Sequence, residues 1–117
     1  MEMSVEKADD VAMVTPVAEY LDASNYQDFK NSIEPTLEAE RKVLVVISKL
    51  RFVDSSGLGA ILSCLRKLTA HGGDLKLLCE KSKPVRMFFE LVRMNQIIDI
   101  VNTKEEALAA FHKGQPV

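Results

Sequence analysis

Little in this 117-residue chain points to metal or disulfide chemistry. Its two cysteines, Cys64 and Cys79, form no CxxC pair and have no histidine beside them in sequence. Single thiols of this kind read as buried, reduced small hydrophobes. His71 and His112 are isolated, so no four-ligand zinc spacing exists. Each is expected at the surface near the close of a helix, where partial positive charge suits the dipole. The longest apolar run, Val43 to Ile47, falls far short of a membrane span. Met1-Glu2-Met3-Ser4 lacks the basic-then-apolar order of a signal peptide, which favours the cytoplasm. The 15 basic and 17 acidic residues are interleaved for a net charge of −2, so no basic stripe invites nucleic acid. A Gly-rich phosphate loop with its lysine is absent, and so is Gly-x-Ser-x-Gly. These absences exclude metal, nucleic acid and membrane insertion, and imply no cofactor.

What is present is ordinary for one folded domain, with 47% hydrophobic and 27% charged residues. The length supplies one core and hardly two. Strand patterns open the chain at Met3 to Lys7 and Val11 to Pro16, with Asp9-Asp10 as the turn. A helix capped by Ser24 follows, its Tyr26, Phe29, Ile33 and Leu37 on one face; Pro35 is expected to kink or end it. Val43 to Ile47 is apolar without alternation, as in a central strand covered on both faces. After residue 57 comes the clearest helical stripe, Leu58, Ile61, Leu62, Leu65 and Leu68, closed by Gly72-Gly73. A strand at Leu75 to Glu80, a helix from Pro84 carrying Val85, Phe88, Phe89 and Val92, a strand at Ile97 to Val101 and a helix from Lys104 to His112 complete the pattern. Lys113 to Val117 reads as a frayed end. Strands alternating with helices give an α/β fold with one sheet, and the opening hairpin makes that sheet mixed.

Between the central strand and the clearest helix stands Leu50-Arg51-Phe52-Val53-Asp54-Ser55-Ser56-Gly57-Leu58-Gly59. An acid and two hydroxyls therefore sit where backbone N–H groups are unsatisfied and the helix dipole is positive. Such a place can hold a negative charge, including a phosphate added to serine. It can equally be a plain N-cap, since Asp, Ser and Gly are cap and turn residues.

The full string and its flanks resemble the signature of the STAS family, most closely its anti-sigma factor antagonists. That signature is a hydrophobic strand, a Leu-x-Phe-hydrophobic link, then Asp-Ser-Ser/Thr-Gly-Leu-Gly, and every position matches. Leu21-Asp22, His71 to Leu75, Val85 to Leu91 and Glu105 to Leu108 resemble further elements of the family. The resemblance runs from about residue 11 to 111 and implies one STAS domain over 1–117. It implies a mixed sheet of about five strands, with four helices packed mainly on one face.

The resemblance also implies a function. The expected partner is an anti-sigma factor that is also a serine kinase with a histidine-kinase-like ATPase fold. It would phosphorylate Ser55, and a PP2C-type phosphatase would reverse the reaction. The chain itself would be no enzyme. Asp54, Ser56 and Gly57 would support the phosphosite, with Asp54 either orienting the acceptor or capping the helix. Ser56 could cap by reaching the N–H of Leu58 or Gly59. Asp22, Leu58 and Gly59 would meet the partner, although Asp22 also fits a turn. Gly57 and Gly59 would let another backbone approach closely. One departure stands out: the family's Gly-Glu-Leu-Asp is here Ala18-Glu19-Tyr20-Leu21-Asp22, so Glu19 is not carried over.

Two other readings compete. A STAS subunit of a larger assembly that is never phosphorylated would need only the fold, yet the full acceptor string is kept. An enzyme using Ser55 or Ser56 as nucleophile lacks a nearby base, since neither histidine adjoins the motif.

Overall fold

A computed structural model describes residues 1–113, so most of the expected frayed end lies outside the described residues. Strand β1 (Met3–Ala8) pairs antiparallel with β2 (Val11–Pro16). Asp9 takes φ 56° in the turn, a conformation its short polar side chain tolerates. Then follow β3 (Tyr20–Leu21), α1 (Tyr26–Ala39), β4 (Lys42–Val46), β5 (Phe52–Val53), α2 (Ser55–Ala70) and β6 (Asp74–Leu78). The chain continues through α3 (Pro84–Leu91), a 3₁₀ turn at Met94–Gln96, β7 (Ile100–Val101) and α4 (Lys104–Lys113).

The main sheet has five strands in the order β1-β2-β4-β6-β7, parallel except for β1. Each parallel step needs a crossover, and α1, α2 and α3 supply them in turn. A chain advancing steadily across a sheet with one handedness leaves its crossovers on one face. Phe29 and Ile33 of α1, Ile61 and Leu68 of α2, and Val85 and Phe89 of α3 accordingly share a core with Val43, Val45, Leu75 and Leu77. Alternation sends Leu44 and Leu78 to the other face, where Ala107 and Phe111 of α4 cover them. Thus β4 is buried on both faces, as its unbroken apolar run implied.

Several local expectations change. Helix α1 runs through Pro35, because the carbonyl that loses its donor belongs to exposed Asn31 and faces water. Buried Phe29, Ile33 and Leu37 hold the helix from the opposite side. Its N-cap is Asn25 rather than Ser24, and no side chain caps it. Asn25 is occupied elsewhere: Oδ1 accepts from Asp22 N–H at 2.9 Å and Nδ2 donates to the Tyr20 carbonyl at 2.9 Å. The last strand keeps only Ile100–Val101, since Arg93 at φ 60° turns the chain into the 3₁₀ segment and leaves Ile97 exposed. Val92 is exposed as well, while Arg86 is buried and its Nη1 donates to the Cys79 carbonyl at 2.6 Å.

The close of α2 follows the expected glycine pattern. Gly72 takes φ 80°, and Gly73 N–H donates to the Leu68 carbonyl at 2.8 Å. Both cysteines are buried free thiols, and burial pushes Cys64 up to about 11. Lys76 is the least expected core residue. Its ammonium lies 5.0 Å from the centre of the Phe111 ring and donates to Asp99 at 2.7 Å and Asp74 at 3.1 Å. Burial alone would lower its pKa, but the Asp99 and Asp74 hydrogen bonds and charges outweigh burial and raise it. A raised folded-state value means that this contribution to stability is complete below the unfolded pKa. It is lost as pH climbs through the folded value, in the alkaline range. Lys76→Met keeps the stem and deletes the charge, and should cost about 1–2 kcal/mol in urea unfolding at neutral pH.

Candidate functional site

The Phe52-to-Gly57 string straddles β5 and the first turn of α2. The two-residue strands β3 and β5 pair in parallel, Tyr20 with Phe52 and Leu21 with Val53. This small second sheet brings the Leu21-Asp22 segment beside the start of α2. Asp54 is the N-cap: its Oδ1 accepts from Gly57 N–H at 3.0 Å. Its Oδ2 accepts from Ala23 N–H at 3.1 Å, so one carboxylate ties the helix start to the Asp22 turn. Of the two roles open to Asp54, capping is the one the hydrogen bonds describe. Ser56 makes no cap; Leu58 N–H instead donates to the Asp54 carbonyl at 2.9 Å.

Ser55 is the first residue of α2 and is exposed. Its hydroxyl enters no hydrogen bond among the described residues. Ser56 is half-buried, and Leu58 packs partly against the core. Gly57 is buried, and a Cβ there would lie 2.3 Å from the Leu21 carbonyl oxygen. The close backbone approach at Gly57 is therefore made by this chain's own β3. Gly59 is exposed, with nothing within 4 Å of the corresponding position. Asp22 is half-buried and folds on itself, its Oδ1 accepting from Ser24 N–H at 2.9 Å and from Ser24 Oγ at 2.6 Å. Asp22, Asp54, Ser55 and Gly57 are thus one cluster, with Leu58 and Gly59 on the next turn.

Two aromatics near the cluster lie outside the expected partner-contact residues. Tyr20 and Phe52 are 47% and 54% exposed, side by side on the small sheet. Large exposed aromatics next to polar groups are the residue types that anchor protein interfaces. The histidines lie elsewhere. His71 caps the far end of α2, about 24 Å from Ser55 at 1.5 Å per residue. His112 is on α4, across the sheet. Neither can serve the serines as a base.

Asp54→Ala removes the cap and the tie to Ala23 together. The expected loss is about 1–2 kcal/mol by thermal or urea unfolding, with Asp54→Asn losing less because Oδ1 can still accept.

The arrangement and the string match a known family over most of the chain, the STAS domain, across residues 2–107. The chain belongs to the STAS domain family. The Bordetella bronchiseptica protein BtrV, assigned as an anti-sigma factor antagonist, is 26% identical over 117 residues, covering 99% of each chain. A Thermotoga maritima crystal structure with the same assignment superposes with a TM-score of 0.80, at 26% identity and 94% coverage of each chain. The Bacillus protein SpoIIAA shares the fold in two forms. Its unphosphorylated form has a TM-score of 0.68 at 20% identity, covering 97% of this chain and all of SpoIIAA. The phosphorylated form scores 0.64 at 23% identity, with 93% and 98% covered. Several relatives of this STAS chain are thus named anti-sigma factor antagonists, a regulatory role. Among the described residues no helix is long and apolar enough to cross a membrane.

Proposed function

We propose that this chain is a cytoplasmic anti-sigma factor antagonist that works by partner switching and is not itself an enzyme. Unmodified, it binds an anti-sigma factor that is also a serine kinase of histidine-kinase-like ATPase fold. Phosphorylation of Ser55 releases it, and a PP2C-type phosphatase restores it. The observation that carries this reading is the asymmetry of the string. Ser55 is exposed and uncommitted, while Asp54 and Gly57 beside it are fixed by hydrogen bonding and close packing. An acceptor hydroxyl must reach a kinase, and its neighbours must hold it in one place. The relatives' assignments agree with this, and SpoIIAA, a protein of the same fold, has been solved with and without phosphate.

On this reading Asp22, Leu58 and Gly59 meet the partner, and exposed Tyr20 and Phe52 extend the contact. The test is affinity capture from lysate of the organism's own cells, using wild type and Ser55→Asp. A kinase-like ATPase held by wild type and lost by the variant is the expected result. A transporter ATPase held equally by both would replace the switch with a scaffold.

A further inference from the structure

Helix α3 is apolar on both sides. Val85 and Phe89 of its inner face are buried in the core, and Phe88 packs against the same cluster. Its outer face carries Met87 and Leu91, about one turn apart, exposed by 64% and 76%. Val92, the C-cap, and Ile97, just past the 3₁₀ turn that packs back on α3, are exposed too. A helix with one side in water ordinarily carries charge there, as α1 does with Asp28 and Glu38 and α4 with Glu105 and Glu106. A helix apolar all round is a buried one. Among the described residues nothing covers the outer face of α3.

Charge and area say what that cover is. Of the exposed residues from 83 to 97, only Lys83, Glu90 and Arg93 are charged, so both signs border one apolar face. Lys83 precedes the helix, and Glu90 stands in its last turn, where it meets Arg86 only at 3.9 Å. Two copies of α3 laid antiparallel bring the Lys83 end of each beside the Glu90 end of the other. Met87 then meets Leu91 twice across a two-fold axis, and the helix dipoles oppose. A partner of a single charge sign would fit only one end of the face. The four apolar side chains leave on the order of 450 Å² exposed, the scale of functional apolar patches on monomers. An interface about 60% apolar built on them covers roughly 750 Å² per copy, close to the ~800 Å² per partner of a stable complex. A net charge of −2 leaves little repulsion between copies.

We infer that the outer face of α3 is a homodimer interface, on which a second copy of this chain packs its own α3 antiparallel across Met87 and Leu91. The pairing does not use Ser55 and would stand if the switch failed. The test is sedimentation equilibrium of the purified full chain, from micromolar to millimolar concentration.

The wild type should fit a reversible monomer–dimer equilibrium, and its melting temperature should rise with concentration. Leu91→Lys and Met87→Lys should each raise the dimer dissociation constant at least about thirtyfold, because each side chain enters the interface twice. Both are exposed in the monomer, so an unchanged melting temperature at low concentration serves as the folding control. Lys83→Glu and Glu90→Lys should each self-associate more weakly than wild type. Mixed, they should pair with one another, since only the mixture restores opposite charges at both ends. A chain that stays monomeric throughout would overturn the second copy and leave the face to another protein or to lipid. Dimers unchanged in both apolar-to-lysine variants, or assemblies that grow without limit, would overturn the interface. Charge variants that fail to pair would overturn the antiparallel arrangement.

Discussion

Ser55→Asp is expected to fold as wild type does and to bind the kinase partner about a hundredfold more weakly, the effect of a few kcal/mol of uncompensated desolvation. The two halves of this result have separate causes. A carboxylate at the first position of α2 faces the positive end of the helix dipole, which stabilises by about 0.3–1 kcal/mol. Unfolding should therefore be unchanged or slightly harder. Binding suffers because a partner surface fitted to a neutral hydroxyl meets added charge beside Asp54 and Asp22. Phosphate would act in the same direction and more strongly, with roughly −1.5 to −2 charge and three acceptor oxygens. Ser55→Ala should still bind, because it adds neither charge nor bulk. Isothermal titration with the captured kinase measures both variants. Equal affinities for wild type and Ser55→Asp would mean that charge is not the switch.

Gly57→Ala should be the most damaging single-methyl change on α2. The added Cβ would meet the Leu21 carbonyl oxygen at 2.3 Å and Val53 Cγ1 at 2.9 Å. The first of these is backbone, held by its own hydrogen bond from Asp54 N–H at 3.2 Å, so it cannot swing aside as a side chain would. Relief requires β3 and the Asp22 turn to move away from α2, which also strains the bond between Asp54 and Ala23. The expected cost is about 2–3 kcal/mol, or roughly 8–12 °C in melting temperature. Gly59→Ala is the matched control. It has open space, and replacing glycine inside a helix should stabilise by about 0.5–1 kcal/mol. Opposite signs from two glycines two residues apart would establish that Gly57 is needed for packing within this fold. A harmless Gly57→Ala would contradict the packing described at the site.

These two glycines also mark what the sequence could and could not reveal. Elements set by local chemistry were legible: the β1–β2 hairpin, the Gly72 close of α2, the start of α3 at Pro84 and the doubly buried run in β4. The Asp54-Ser55-Ser56-Gly57 string was legible as a helix start because cap chemistry is local. Its surroundings were not. Strands β3 and β5 are two residues each, too short for any periodicity, and they pair across 32 positions of sequence. The role of Asp54 depends on Ala23, 31 residues away, so capping and orienting could not be separated in the sequence. Nothing local to Tyr20 or Phe52 reveals that this pairing sets them side by side, 47% and 54% exposed. Pro35 misled for a related reason, because its local penalty falls on the solvent side while the tertiary packing of α1 lies on the other. Lys76 shows the same dependence on distant residues, since a lysine inside a strand acquires a reason for burial only when Asp99 and Phe111 arrive from elsewhere.

The central claim is that Ser55 is the residue a partner kinase modifies. The most direct measurement is phosphosite mapping by mass spectrometry after incubation with ATP and lysate of the organism's own cells, beside a Ser55→Ala control. The account predicts phosphate on Ser55 in the wild type and none in the control. Phosphate confined to Ser56, or none on either serine while a known partner switch in the same lysate is active, would contradict it.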